Sequence, residues 1–442
     1  MNRGHAQRWA ALLALTIGAG SAAFAAAGGL GRPKASAPAP LGEAEVLEMD
    51  LAFFQSRVER DSFAARDHAQ LARVYLQRAQ RSGMADADLA RAEEHARRSL
   101  ALRRAHNGEA LQVLASSLMG RHRFLEARAA AERLVARDSA SMSARALLGE
   151  IQIELGAYRE AAHTFGTLLT VRTDLAVAPR YARWDEIRGR PAEARQLLRD
   201  ALKEASGRHG IPRSQLAWFH WRLGDLALRN GRLGEAQGEF EHGLQHVPKD
   251  HRLLDGLARV AVARGRWKDA IALGERAIAA SLDPATLGLL ALSHEALGDR
   301  AGSAEYERAM SVAVSGQAGG MHRAWSLYLL DRGRSVPQIL ARAQEEIRTR
   351  PDVCGWDLLA WALYRSGKLS AALRAAERAL GMGTRDASLY YHAGTVAAAA
   401  GERARATRWL EEALAINPRW HPTQPDEARA TLRRLRSGRS VP

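Results

Sequence analysis

The chain has 442 residues, of which 47% are hydrophobic and 26% charged, and its formal net charge is +15. Its single cysteine, Cys354, excludes an intrachain disulfide and a thiolate zinc cluster, and we interpret it as a small, partly buried helix residue. The basic residues are nearly all arginine and scattered along the chain without a dense basic and aromatic run, so nucleic-acid binding is not indicated.

The first 30 residues have the layout of a secretory signal peptide. Arg3 and Arg8 form a short basic region, Trp9 to Leu30 carries no charge, and Ala23-Phe24-Ala25 offers a cleavage signal. The uncharged run is also long enough to span a bilayer, so an uncleaved N-terminal membrane anchor is an alternative. A buried first helix is the third reading. We therefore expect an exported protein, periplasmic or extracellular, with possible anchoring at the N-terminus.

A linker rich in Pro and Ala follows over residues 31–42, and it predicts an extended, exposed spacer. After it, a helix is expected from about Glu43 to Arg60. From there a spacing of about 34 residues governs the sequence. It is marked by small residues at Ala115, Gly149, Ala182, Gly224, Ala258, Ala291, Ser326, Ala360 and Gly394.

Each period predicts two helices joined by a glycine-containing turn. Apolar residues fall at i, i+3 and i+4, and no strand-like alternation competes with them. Gly224 and Ala236 carry little side-chain volume, so they predict a close helix crossing beside which Phe240 fills the gap. Gly231 supplies the turn with a positive φ, and Pro248 ends the second helix.

These residues resemble the tetratricopeptide repeat family from about residue 63 to 419. The family pattern places small residues at positions eight, twenty and twenty-seven, an aromatic or Leu at twenty-four, and Pro at thirty-two. Five units follow it: Gly149, Ala161, Phe165 and Leu168; Gly224, Ala236, Phe240, Gly243 and Pro248; Ala258, Ala270 and Ala277; Ala360, Ala372, Ala376 and Ala379; Gly394, Ala406, Leu410, Ala413 and Pro418. The resemblance implies an all-α, right-handed superhelical solenoid of antiparallel helix pairs, with about ten units.

Two interruptions divide the expected array. Residues 206–213 and 314–320 break the period, either as joints or as longer loops, which gives repeats over 43–204, 214–313 and 321–419. Residues 420–442 are expected to form a capping helix and a tail. The unit from Ala291 to Met310 looks one residue short in its turn, which would bring Gly302, Tyr306 and Ala309 into register.

The resemblance also implies which residues face the concave groove, because the first helix of each unit lines it in this family. Aromatic and Arg residues are common interface anchors, although the Trp residues could instead be packed between helices. The implied partner-binding residues are Trp218, Trp221, Asp225, Arg229, Arg252, Asp255, Arg259, Asp357, Trp361, Tyr364, Arg365 and Tyr391. No Asn follows the small eighth-position residues, so the carboxylate-gripping set of one subclass is missing.

Catalytic and metal signatures are not found. His242 and His246 stand at i, i+4 with His251 nearby, but the sequence shows no carboxylate that completes a site, so we interpret them as a solvated helix end. No phosphate loop, HExxH pair or nucleophile elbow occurs. The array leaves no segment long enough for a catalytic domain. We expect no enzyme activity, no cofactor and no metal.

The sequence therefore predicts a non-catalytic protein–protein interaction scaffold of the bacterial cell envelope, with a protein or peptide ligand in the concave groove. One alternative is an Arg-rich module that docks on an anionic glycan or a membrane surface. Another is an accessory subunit of an envelope enzyme or transporter.

Overall fold

Helices account for the regular structure of this computed structural model, which describes residues 42–83, 85–315 and 322–437. Those residues form 22 α-helices and one short 3-10 segment, Leu169–Val171, and contain no strand. The all-α prediction is confirmed. The predicted signal peptide or anchor, the predicted linker up to Leu41 and the last five residues of the tail lie outside the described residues.

Ten consecutive helix pairs lie between a leading helix, α1, and a final helix, α22. The leading helix, Glu43–Arg60, has the bounds predicted from the sequence. The first five pairs are α2 (Ala65–Arg81) with α3 (Asp86–Leu102), α4 (Gly108–Gly120) with α5 (Phe124–Arg137), α6 (Met142–Glu154) with α7 (Tyr158–Gly166), α8 (Ala178–Ile187) with α9 (Pro191–Gly207), and α10 (Arg213–Arg229) with α11 (Leu233–His246). The other five are α12 (His251–Ala263) with α13 (Trp267–Ala280), α14 (Pro284–Ala296) with α15 (Arg300–Ser315), α16 (Arg323–Asp331) with α17 (Val336–Thr349), α18 (Val353–Arg365) with α19 (Leu369–Leu380), and α20 (Ala387–Ala399) with α21 (Arg403–Ile416). The final helix, α22 (Gln424–Arg436), lies where the capping helix is expected.

Aspartates begin several of the first helices. Each accepts a hydrogen bond from a backbone N–H of the first turn, which satisfies a donor that has no partner within the helix. The four are Asp250 before α12, Asp283 before α14, Asp352 before α18 and Asp386 before α20. Their placement starts the first helix of these four units at an equivalent point.

Small residues bring the two helices of a pair together, as the sequence predicts. A Cβ added to Gly224 would lie 2.5 Å from Cε1 of Phe240, and one added to Gly394 would lie 2.7 Å from Cγ of Leu410. Phe240 is also held from the other side, because a Cβ on Gly256 of the next unit would lie 2.5 Å from its ring. These two pairs are thus fixed by a large side chain that fills the space a glycine leaves.

The turns and helix ends also follow the sequence. Gly231 and Gly401 have φ values of +72° and +80°, which favour glycine. The second helices α11 and α21 end two residues before Pro248 and Pro418. Such short turns keep the two helices of each pair antiparallel.

The predicted one-residue shift between α14 and α15 is wrong. Residues 297–299 join these helices, and residues 264–266 join the preceding pair, so the turns have equal length. Gly302 therefore misses the crossing and lies against His294. Tyr306 and Ala309 are likewise displaced by one residue from the positions expected of them. The structure instead gives the register positions to Ser303, Glu307 and Met310, of which Met310 is 1% exposed.

The two interruptions have different outcomes. The first is a loop over residues 208–212. At its end, the backbone N–H of Arg213 donates to Oε1 of Glu43 at 2.5 Å, and the Ser214 hydroxyl donates to Oε2 of Glu43 at 2.9 Å. The second falls largely outside the described residues. The described residues from Glu43 onward form one compact unit, and the division into three arrays stays a prediction. None of the described helices is both long and apolar enough to cross a bilayer.

Contacts between segments far apart in the chain are the main feature that the sequence does not show. Nε of Arg350 donates to the carbonyl oxygen of Glu154 at 2.8 Å, and the backbone N–H of Val353 donates to the Tyr158 hydroxyl at 2.8 Å. These partners are 196 and 195 residues apart, or about six repeats of this length class. The α6–α7 turn is therefore packed against the start of α18.

The same contact recurs further along. The Thr384 hydroxyl donates to the carbonyl oxygen of Ile187 at 2.6 Å, and Nδ2 of Asn417 donates to that of Leu228 at 3.0 Å. Their separations are 197 and 189 residues. Units separated by this interval touch repeatedly, which means that successive turns of the superhelix stack on each other.

We expect Gly224→Ala to lower the stability of the protein by about 1–3 kcal/mol, the usual cost of overpacking a filled core. The added methyl group meets Phe240, which cannot move away because Gly256 packs against its far side. Midpoints of chemical denaturation would measure the loss, and adding Phe240→Leu should recover part of it.

Gly234→Ala is the matched control, since no atom lies within 4 Å of a Cβ at this glycine. Its stability should be unchanged or raised by up to about 1 kcal/mol through helix propensity. Equal losses in both variants would show that the crossing is not the cause.

Candidate partner-binding groove

The first helices α10, α12, α14 and α16 of four consecutive units lie side by side, and the start of α20 faces them. We call the surface formed by these five helices the inner groove. It contains a cavity of about 400 Å³. Its far wall comes from the start of α20 and residues 417–424, which stacking of the superhelix brings opposite α10. The cavity thus lies between two turns of the array.

The walls of the cavity combine apolar and charged side chains, which is typical of a ligand site. The apolar contributors include Val262, Leu289, Leu292, Leu327, Tyr328 and Trp420. The charged or titratable contributors are Arg229, Arg259, Asp331, Asp386, His392, Arg419 and His421. Of the residues predicted from the sequence, Arg229 and Arg259 line it.

A network of ion pairs joins α8 to the first two helices of the inner groove, α10 and α12. Buried Glu186 accepts hydrogen bonds from Arg222 and Arg229 of α10, the second at 2.5 Å. Asp225 accepts from Nε of Arg229 at 2.9 Å and from Nη1 of Arg259 at 3.3 Å. The predicted residues Asp225, Arg229 and Arg259 therefore lie together, paired with one another and with Glu186.

The network sets the ionisation of its carboxylates. Burial alone would raise the pKa of Glu186, but the charges of Arg222, Arg229 and Arg183 outweigh it and lower the pKa to about 2. The pKa of Asp225 is lowered to about 2 in the same way, against the effect of burial. Both side chains are therefore anionic at neutral pH and hold the arginines in place.

Asp255 behaves differently from its neighbours. Burial raises its pKa to about 6, and nearby Asp283 adds to the rise although Arg259 opposes it. Its Oδ1 accepts from the Thr286 hydroxyl at 3.0 Å. At this predicted groove residue, the positive charge of Arg259 offsets only part of the effect of burial on the pKa.

Trp218 and Trp221 lie side by side on α10, with ring centroids 6.3 Å apart. The guanidinium of Arg252 lies 5.6 Å from the centre of the Trp221 ring, within range of a cation–π interaction. Arg252 also donates from Nη2 to Asp250 at 2.6 Å. These three predicted residues form one half-buried cluster that does not line the cavity.

Trp361 and Tyr391 differ from the expectation that they face the groove. Trp361 is 3% exposed, its ring stacks on His392 at 4.3 Å, and its Nε1 donates to Asp331 at 2.9 Å. Tyr391 is 4% exposed and donates its hydroxyl to Glu427. Both rings are packed between units, because the aromatic volume fills the contact of α18 with α20.

The remaining predicted residues surround this aromatic cluster. Asp357 is buried and bonded to Nδ1 of His392 at 3.0 Å. Although burial opposes it, the charge of Asp357 raises the pKa of His392. Tyr364 stacks on Trp361 at 4.9 Å and is half-buried, whereas Arg365 is exposed.

Several residues that line the cavity are not among those predicted from the sequence. Asp331, His392 and Trp420 line the cavity, but only the stacking of superhelical turns brings the last two opposite α10 and α12. In the sequence, the only sign of a site here is the aromatic residue Trp420 in the segment after Pro418. Cys354, expected to be partly buried, is exposed on the first turn of α18.

The histidine-rich end of α11 is not simply a solvated helix end, because its side chains contact α10. Nδ1 of His220, on α10, lies 2.8 Å from Oε2 of Glu239. His242 is near both residues. The carboxylate that the sequence did not reveal is therefore present, one turn before His242 on the same helix.

A match to a known protein family agrees with the repeated helix pairs described above. The family model described as "Tetratricopeptide repeat" matches residues 113–172, 187–240, 221–285 and 358–419, which together make up half of the chain. No curated protein sequence matches the chain.

Solved structures that are similar to it include the following three. The APC/C hetero-tetramer Cut9–Hcn1 has 14% identity and a TM-score of 0.34 over 89% of this chain and 96% of that chain. PilW, a widely conserved type IV pilus biogenesis factor, has 21% identity and a TM-score of 0.40 over 48% and 96%. A tetratricopeptide repeat protein from Parabacteroides merdae has 15% identity and a TM-score of 0.35 over 63% and 99%.

We expect Glu186→Gln to destabilise the protein by roughly 3 kcal/mol at pH 7, because it leaves buried Arg222 and half-buried Arg229 without their shared anionic partner. Since the pKa of Glu186 is lowered from 4.5 to about 2, its contribution is fully present above pH 4.5. It is lost as the pH falls towards 2. The difference between wild type and variant in denaturation midpoint should therefore shrink over that interval.

Glu345→Gln serves as the control, because its partner Arg348 and Glu345 itself are more than 70% exposed. Its effect should stay below about 1 kcal/mol. A Glu186→Gln effect as small as this one would contradict a structural role for the network.

Proposed function

The chain belongs to the tetratricopeptide repeat family, and we propose that it is a non-catalytic scaffold that binds a protein or peptide segment in its inner groove. The observation that carries this proposal is the cavity of about 400 Å³ between α10, α12, α14, α16 and the start of α20. Repeat arrays present extended concave surfaces of this kind to their partners.

The lining of the cavity indicates the kind of segment that would fit. Leu289, Leu292 and Leu327 offer an apolar surface, and the exposed guanidinium groups of Arg259 and Arg419 lie at the same cavity. An apolar side chain next to an acidic residue matches this combination. We propose an extended segment with that pattern as the ligand.

The pairing of the arginines does not favour docking on an anionic surface. Glu93, for example, contacts Arg97, Arg121 and Arg123 at 2.7–2.8 Å. Glu235 contacts three further arginines. Arginines held in this way present less free charge than the net charge of +15 suggests. Binding in the groove should accordingly weaken only modestly with salt, whereas surface docking should collapse.

We place this scaffold in the bacterial cell envelope. The support is the sequence of the first 30 residues, with a basic start, an uncharged stretch and a small-residue cleavage signal. The segment acts either as a cleaved export signal or as an anchor that keeps the array at the membrane.

A photoreactive residue at Leu292 should crosslink the partner in intact cells, because this side chain lines the cavity. The same residue at Leu297 is the matched control, since Leu297 follows on the turn after α14 and is 44% exposed. We expect a discrete adduct from position 292 and none from 297, detected by mass shift on a gel.

Filling the cavity sharpens this test. Ala263→Trp introduces a large side chain into the cavity wall and should reduce the adduct from position 292 by at least about tenfold, a loss of ~1.4 kcal/mol. Adducts of equal yield from both positions, or yields unaffected by Ala263→Trp, would refute groove binding.

Sequencing the N-terminus of the protein recovered from cell-envelope fractions tests export separately. Cleavage predicts a mature chain that begins near Phe24 to Ala27, and anchoring predicts an intact N-terminus that remains with the membrane after salt washing. An intact chain found in the soluble cell interior would contradict the proposed location without affecting the groove.

A further inference from the structure

A cluster of metal-ligating side chains lies on α10 and α11, away from the cavity. His220, Glu239 and His242 each offer one ligand atom, and these atoms lie within 4.8 Å of one another. None of the three lines the cavity. The geometry is therefore independent of the proposed scaffold function.

Local structure explains why these residues converge. Glu239 and His242 are three residues apart on α11, so their side chains share one face of the helix. Such Glu-x-x-His pairs supply ligands to metal sites in helical bundles. His220 reaches them from α10 because Gly243 lets the helices approach: a Cβ on Gly243 would lie 3.2 Å from Cβ of His220.

The surroundings also suit a cation. The cluster lies in the second half of α11, which ends at His246, and the end of a helix carries a partial negative charge. The Glu239 carboxylate and the His220 ring are mostly shielded, with 17% and 13% of their side chains exposed. His242 is exposed, so its ring is free to turn towards the other two ligands.

We propose that His220, Glu239 and His242 form a zinc site that braces α10 against α11. Two imidazoles and one carboxylate are a ligand set that Zn²⁺ takes, with a fourth position left for water. Bond lengths near 2.0–2.2 Å require the three ligand atoms to draw closer together, and the exposed His242 supplies most of that movement. The site crosslinks the two helices of the fifth pair.

Zinc titration of the full chain, freed of metal with a chelator, tests the proposal. Competition with a chromophoric chelator should show one Zn²⁺ per chain, and zinc should raise the melting temperature. His242→Ala and Glu239→Gln should each weaken zinc binding by at least about tenfold, because loss of a ligand costs no less than loss of an outer-shell partner.

His163→Ala is the control, since it removes an exposed histidine on α7 without touching the cluster. It should bind zinc like the wild type, and circular dichroism should show that all variants remain folded. Cobalt offers a second readout, because a visible spectrum of four- or five-coordinate Co²⁺ should appear with wild type and vanish with His242→Ala. No stoichiometric zinc uptake, or equal affinities of His242→Ala and His163→Ala, would overturn the proposal.

Discussion

The close approach of the two helices in each pair is the constraint on which the rest of the structure depends. At Gly224 and Gly394 a single methyl group would collide with Phe240 or Leu410. A large side chain that fills the space beside a small residue fixes both the distance and the crossing of the helices. When crossings at small residues recur from pair to pair, the array acquires a regular rotation from unit to unit.

That regular rotation brings distant units into contact. Turns that need glycine for a positive φ, such as Gly156 and Gly231, are also the points where the next superhelical turn touches the array. A Cβ on Gly156 would lie 2.5 Å from the carbonyl carbon of Pro351. The glycine thus meets two requirements, the conformation of the turn and the close approach of a second backbone.

The sequence predicts local features well because they depend on nearby residues. Helix α1, the turn at Gly231 and the packing of Phe240 on Gly224 follow from short-range spacing. The contacts of Ile187 with Thr384 and of Leu228 with Asn417 join carbonyl oxygens to side chains almost 200 residues away. No periodicity encodes such pairs, since they depend on the accumulated rotation of about six units.

The residues of the candidate site are likewise predictable from the sequence only in part. The first helices identify Arg229 and Arg259 as groove residues, and both line the cavity. Trp361 does not, because its indole fills an inter-unit contact that a pattern of first-helix positions cannot distinguish from the groove.

Stacked turns of the superhelix also limit the width of the cavity. Leu228 and Asn417 both line it and are hydrogen-bonded to each other across one edge. A partner wide enough to separate them would lose this contact, which contributes about 0.5–1.5 kcal/mol. The stacking of turns therefore favours a thin, extended segment over a folded domain as the ligand of the groove.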